Sequence, residues 1–190
     1  MQKKLLPLLL LPVLTLASCG GTSTPKATNV SSDTTVATGP ATASQDAGDQ
    51  TMSAEEAQVL KELNAARAVA RSCGGVAMPA APAVTWNGYL AKAARGHALD
   101  MATRNFFEHV NPDGKGIKER AEAAGYVNWT ELGENIAAGY SLAEVTQGWL
   151  NSPSHCKTLM DPALKEVGVG YVYRSGSQYG TYWVQDFGTR

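Results

Sequence analysis

Phe106-Phe107-Glu108-His109, Gly133-Glu134-Asn135-Ile136-Ala137 and Trp149-Leu150-Asn151-Ser152-Pro153-Ser154-His155 lie within one stretch, residues 97–173, around which the 190-residue chain is organised. Each segment sets a His or Glu beside aromatic or apolar residues and next to a turn signal. Polar side chains held against an apolar wall at a loop edge are the usual lining of a cleft. The expectation is that His109, Glu134 and His155 converge on one such cleft.

Outward from this stretch the chain reads as helices first and strands last. Ser53 and Glu56 make an S-x-x-E capping box, followed by Val59, Leu63, Ala66 and Ala70 at helical spacing, with Leu60 widening the stripe. Gly74 and Gly75 are expected to stop that helix, and the Pro-rich residues 78–82 to run extended. Asn87 can cap a second helix, whose Leu90, Ala94, His97 and Met101 share one face. His97 therefore reads as a core histidine bonded to backbone. Asp100 and Arg104 form an i, i+4 surface pair, and Asn105 ends the helix. Asn111-Pro112-Asp113-Gly114 is a turn signal, so Asp113 reads as a turn residue rather than a catalytic acid. A short helix over 117–124 follows, with Gly125 as its stop.

Residues 132–139 are glycine-flanked and mildly apolar but lack the spacing of a phosphate-binding loop. Ser141 and Glu144 form a second capping box, with Val145 and Trp149 at i and i+4 behind it. Pro153 restarts a helix at its first position, where the missing N–H costs nothing, and His155 falls in the first turn. A helix N-terminus disfavours a protonated imidazole, so His155 is expected to be neutral. Val167, Val169, Tyr171 and Tyr173 alternate along one run, and residues 182–187 form a second after a Gly/Ser loop, which reads as an antiparallel hairpin. The fold class expected is α+β.

The N-terminus is of another kind. Lys3 and Lys4 precede an apolar run over 5–16, which has the length and flanks of a signal peptide, residues 1–18. Leu16-Ala17-Ser18-Cys19 resembles a bacterial lipobox, which implies cleavage before Cys19 and lipidation of its sulfur, hence a lipid anchor in the membrane and an extracytoplasmic location at the cell envelope; the alternative is ordinary cleavage nearby with Cys19 a chance residue. Residues 19–52, rich in Gly, Ser, Thr, Ala and Pro, form a tether whose span would be on the order of 30 Å. The domain proper is then residues 53–190. With Cys19 acylated, Cys73 and Cys156 remain, and export makes a disulfide their expected fate; the alternative is Cys156 as a nucleophile beside His155. A net charge of −1 leaves no basic footprint for nucleic acid.

Taken in order, Ala94-Arg95-Gly96-His97-Ala98-Leu99-Asp100-Met101, Phe106-Phe107-Glu108-His109, Pro112-Asp113-Gly114, Gly133-Glu134-Asn135-Ile136, Trp149-Leu150-Asn151-Ser152-Pro153-Ser154-His155, Val167-Gly168-Val169-Gly170-Tyr171 and Tyr182-Trp183-Val184-Gln185-Asp186-Phe187 resemble a bacterial member of the CAP superfamily, the SCP-like extracellular proteins. The resemblance covers residues 53–188 and implies an α-β-α sandwich with a central antiparallel sheet. Eukaryotic members carry two His and two Glu in a central cleft that can bind divalent metal. His109 matches the first His and Glu134 the first Glu. The second Glu falls near Ser152 and the second His near Tyr182, so the full tetrad is absent; His155 belongs to the bacterial pattern.

Two imidazoles and a carboxylate are a sufficient ligand set for a divalent metal, zinc first, with a fourth position open for water. The alternative is a hydrogen-bonded cluster in which Glu134 accepts from the histidines. No H-E-x-x-H helix and no G-x-S-x-G elbow is present. Tyr126, Trp129, Tyr140 and Trp149 are read first as core and second as a rim for lipid or glycan. The leading functional expectation is a binding module for a lipid, a cell-wall component or a protein partner rather than an enzyme. A metal-dependent extracellular hydrolase of peptide or ester bonds and a ligand-free envelope scaffold are the alternatives.

Overall fold

The computed structural model describes residues 48–190. The expected signal peptide, the lipidated Cys19 and most of the tether lie outside the described residues. No helix of the described residues is long and apolar enough to cross a membrane.

Helix α1 (Ala54–Arg67) begins where its capping box requires: the Ser53 hydroxyl accepts the Glu56 N–H, and the Glu56 carboxylate accepts the Ser53 N–H at 2.8 Å. It ends at Arg67, seven residues before the two glycines expected to stop it. Arg67 is the reason. It is fully buried and donates to the carbonyls of Pro82, Leu159, Asp161 and Leu164, at 2.7–3.1 Å, so the chain must leave the helix there to surround it. Gly74 and Gly75, both with left-handed φ, instead turn the hairpin of β1 (Arg71–Cys73) and β2 (Val76–Met78). Cys73 of that hairpin is bonded to Cys156, across a sequence separation of 83, and both cysteines are fully buried.

After β3 (Thr85–Trp86), Asn87 caps α2 (Gly88–Arg104) by accepting the N–H groups of Tyr89 and Leu90. Asn105, in the left-handed region, closes it. Then follow α3 (Ile117–Ala124), β4 (Glu131–Ala138), α4 (Leu142–Asn151), α5 (Pro153–Met160), β5 (Glu166–Tyr173) and β6 (Thr181–Thr189). The main sheet has the order β3-β5-β6-β4. Its three long strands are antiparallel, and the two-residue β3 adds to β5 in parallel.

Helical layers cover both faces. On one, α2 lies across β5 and β6, with Ala94, Ala98 and Met101 against Ile136, Tyr182 and Val184. It comes this close because β5 presents Gly168 and Gly170 there; a Cβ on either would collide with the backbone of Leu90–Ala91 or Ala94–Arg95. On the other face, Val59 and Leu63 of α1, Trp149 of α4 and Leu159 of α5 pack on Val167, Val169, Trp183 and Phe187. This is the expected α-β-α sandwich. Strand β4, at one edge of the sheet, carries no clean apolar/polar alternation, because both of its faces are packed at Ile136 and Ala137.

Candidate functional site

Register on β4 and β6 decides which side chains meet. On β4, Glu134 and Ile136 face the α2 layer, and Asn135 and Ala137 the α4/α5 layer, since side chains alternate along a strand. Glu134 pairs directly with Asp186 of β6. From above come Arg120 on α3, His97 on α2 and His109 in the loop between those helices. That loop is held by the Asn111–Gly114 turn and by an ion pair from Arg104 to Asp113 at 2.7 Å. Asp113 is thus structural, as its turn suggested.

His109 Nδ1 lies 2.7 Å from Glu134 Oε1, while the Arg120 guanidinium donates to Glu134 Oε2. Arg120 also donates to the carbonyls of His109 and Lys115, both at 2.9 Å, so one guanidinium ties the loop to the carboxylate. The Glu134 side chain is 4 % exposed and that of His109 54 %, so the pair runs from the interior to the surface. His97 is fully buried, with Nε2 3.0 Å from the Glu108 carbonyl. That contact needs an N–H on Nε2, which is the backbone-bonded core role expected.

Electrostatics follow from burial and these contacts. The hydrogen bond to Glu134 raises the His109 pKa, against desolvation. For Glu134, burial works to raise the pKa, but the His109 bond and the Arg120 charge outweigh it and the net shift is downward. Burial, and then the Arg120 charge, lowers the His97 pKa, so that ring is neutral. Asp186 is fully buried, and as a carboxylate neither of its oxygens finds a donor among the described residues. Burial and the Glu134 charge raise its pKa well above the usual range, which favours the neutral acid opposite Glu134 in the register. The centre of the site is therefore a carboxylate, Glu134, held by an imidazole and a guanidinium, with a buried carboxylic acid opposite it on β6.

His155 is not bonded to the His109–Glu134 pair, although the His109 charge acts on it. It is on α5, at the other layer, and no hydrogen bond among the described residues joins its ring to His109 or Glu134; its main-chain carbonyl accepts from Asn135 at 3.2 Å. It does lower in pKa as expected, but through burial first and the nearby His109 charge second, rather than through the helix terminus. His155 lines a cavity of about 220 Å³ together with Phe107, Ile136, Ala138, Trp149 and Ser152. Phe107 brings the His109 loop to that cavity's other wall. Trp149 donates its indole N–H to the Ile136 carbonyl, at 3.2 Å, and Tyr126 is core; Trp129 is half-buried, its indole N–H donating to Glu122, and Tyr140, 42 % exposed, faces out.

These residues do not fit a resident metal as arranged. Both Glu134 oxygens are committed, a guanidinium stands where a cation would sit, and no group of three or more His, Cys, Asp or Glu among the described residues is placed to hold an ion. Of the expected set, His109 and Glu134 meet and His155 does not join them. Sequence reasoning missed Arg120 and Asp186. The available signal for Asp186 was an acid beside Gln185 inside the largely apolar run of residues 182–187.

A sequence profile of the cysteine-rich secretory protein family, CAP, matches residues 60–187. The chain belongs to the CAP family. Among similar proteins, the uncharacterized protein YkwD of Bacillus subtilis is 34% identical over 99 residues, 52% of this chain and 36% of that protein. The uncharacterized membrane protein YlbC of the same organism is 38% identical over 86 residues, 45% of this chain and 25% of that protein. The matched parts thus span about a third of these relatives or less. Among solved structures, an extracellular protein containing an SCP domain from Bacillus anthracis superposes with a TM-score of 0.58 at 29% identity, over 72% of this chain and 40% of that one. An outer surface protein of Borrelia burgdorferi gives 0.56 at 21% identity, over 70% and 93%, which bears on the fold alone.

Proposed function

We propose that this chain is an exported CAP-family binding module, lipid-anchored at Cys19, whose cleft along β4 takes up a lipid, a cell-wall component or a partner protein. The observation that carries the reading is the 220 Å³ cavity between Phe107 and Trp149, largely apolar-walled, with polar groups from His155, Ser152 and Tyr140, its wall at Ile136 two residues along β4 from Glu134 of the His109–Glu134 pair. Binding is favoured over hydrolysis because Glu134, the carboxylate best placed to activate a water, has both oxygens committed to His109 and Arg120. The location outside the membrane rests on the Lys3-to-Cys19 segment and agrees with the extracellular B. anthracis relative.

The test uses the full chain in detergent micelles, observed through the ring resonances of its three histidines. Muropeptide fragments and phosphatidylglycerol are titrated in turn, and zinc chloride separately, since zinc is the metal the residue types allow. The expected result is saturable movement of His155 and His109, with His97 still, weakened by His155→Ala. No movement with any probe, together with full rescue of a deletion strain by His109→Ala/Glu134→Gln/His155→Ala, would replace the reading with a scaffold. Zinc-dependent turnover of peptide or ester substrates, lost in Glu134→Gln, would replace it with a hydrolase.

A further inference from the structure

Hydrogen bonding within the sheet leaves one edge with unused main-chain groups. Gly139 N–H donates to Thr181 C=O, and Arg174 N–H to Gly180 C=O. Continued through the register, the odd-numbered residues of β6 bond to β4 and its even-numbered residues to β5. On β4, Gly133, Asn135 and Ala137 therefore spend their N–H and C=O on β6, while those of Glu134, Ile136 and Ala138 point away from the sheet. The Ile136 carbonyl is taken by Trp149. No hydrogen bond among the described residues takes up the outward groups of Glu134 and Ala138. Glu134 keeps partial exposure although its side chain is 4 % exposed, so what meets solvent there is main chain. Unpaired strand edges are templates for another strand.

The groove beside this edge has two chambers, the smaller reaching from Phe107 across the edge to α4 and α5, the larger lying against α4. The 220 Å³ cavity presents Trp149 and the neutral His155. The second, about 560 Å³, shares Ala138, Tyr140 and Gly148 with it and continues to Gln147, Asn151 and Glu144, the last being its only charged lining residue. Alternate side chains of a strand fall on one side, roughly 6–7 Å apart, which suits two adjoining chambers.

We propose that the outer edge of β4 binds an extended peptide as an added strand, with an apolar side chain in the chamber of Trp149 and His155 and, two residues along, a basic side chain facing Glu144. This rests on the binding-module reading and names its ligand class. Main-chain bonds to Glu134 and Ala138 supply the register, and the chambers supply the selectivity. The intervening residue of the peptide faces Phe107 and His109, on the α2 side.

The probe is the blocked pentapeptide Thr-Leu-Thr-Lys-Thr, compared with versions carrying Ala for Leu, Glu for Lys, or a methyl group on one backbone nitrogen at a time. Binding to the full chain is followed by amide resonances of residues 133–139. The expected result is movement of the Glu134 and Ala138 amides and about a tenfold loss of affinity for each of three changes: Leu to Ala, Lys to Glu, and methylation of a nitrogen facing β4. Methylation at the next nitrogen, which faces solvent, is expected to be silent; this contrast needs no change to the protein and so no assumption about variant folding. Glu144→Gln, on the exposed rim, should remove the Lys-over-Glu preference alone. Equal tolerance of methylation at every position, or no binding below about 1 mM by any peptide, overturns the proposal. If muropeptide glycan or phosphatidylglycerol moves His155 while the peptides do not, the peptide inference fails and the binding module stands; if nothing binds, both fail.

Discussion

Replacing Arg120 by Met removes one charge and little volume, and its cost is worked from three contacts. Arg120 and Glu134 form an ion pair with side chains 9 % and 4 % exposed. Taking one partner from such a pair leaves the other buried and uncompensated, a loss of about 3–5 kcal/mol. The carbonyls of His109 and Lys115 lose donors as well, but they sit on an exposed loop and water replaces much of that. With a urea dependence of about 2 kcal/mol per M, the unfolding midpoint of Arg120→Met should fall by roughly 1.5–2.5 M at neutral pH. Removing the stranded charge too, in Arg120→Met/Glu134→Gln, should recover about 2 kcal/mol of that loss. The pH dependence has a definite sign. Glu134 has a depressed pKa in the folded state, so its contribution is present above the unfolded value near 4.5 and is lost as pH falls through the lower folded one. Arg120→Met removes part of that contribution, so its deficit against wild type should shrink in acid. A single-variant cost below about 1 kcal/mol, or a double variant no better than the sum of the singles, would refute the view that Glu134 is a buried carboxylate held by Arg120.

His109 should titrate above 6.5 in wild type and move down in Glu134→Gln, by proton-resolved histidine NMR; its raised pKa stabilises the fold below 6.5, and that share is lost as pH rises through the folded value. His155 should titrate below 6.5 in the same spectra. Reduction of Cys73–Cys156, which closes a separation of 83 residues, should cost about 4.5 kcal/mol in the chain-entropy account, read as the difference in urea midpoint with and without dithiothreitol. Gly170→Ala should cost about 3 kcal/mol or more, because its Cβ meets the α2 backbone rather than a side chain that can move, whereas Gly96→Ala, on the open side of the same helix, should stabilise by about 0.5–1 kcal/mol in thermal unfolding.

What local sequence determined about this protein is whatever depends on neighbours along the chain. Ser53, Asn87, Ser141 and Pro153 mark helix starts because a cap or a ring acts within a few residues. The β5–β6 hairpin is legible from alternation, and the ordered motifs that resemble the CAP superfamily carried the sandwich, while export and cysteine count carried the Cys73–Cys156 pair. Contacts distant in sequence were decided by tertiary structure. The end of α1 follows from carbonyls up to 97 residues away that surround Arg67, not from the glycines next in line. Strand β4 is a strand because β6 pairs with it; packed on both faces, its residues leave no period to read.

The same holds inside the site. His109 and Glu134 were legible as candidates, and their pairing at 2.7 Å follows the hydrogen-bonded reading of the cluster. Arg120 and Asp186 were not, since α3 reads as an ordinary surface helix and one acid in a strand has no meaning until register sets it opposite another. His155 was legible as a cleft residue, but its layer was not: α5 lies across the sheet from α3, and so the ring that sequence placed with His109 and Glu134 lines the neighbouring chamber instead. Short-range order arises from propensity and capping, which are local free energies. Which charged groups share a buried volume is set by sheet register and layer, which no local stretch encodes.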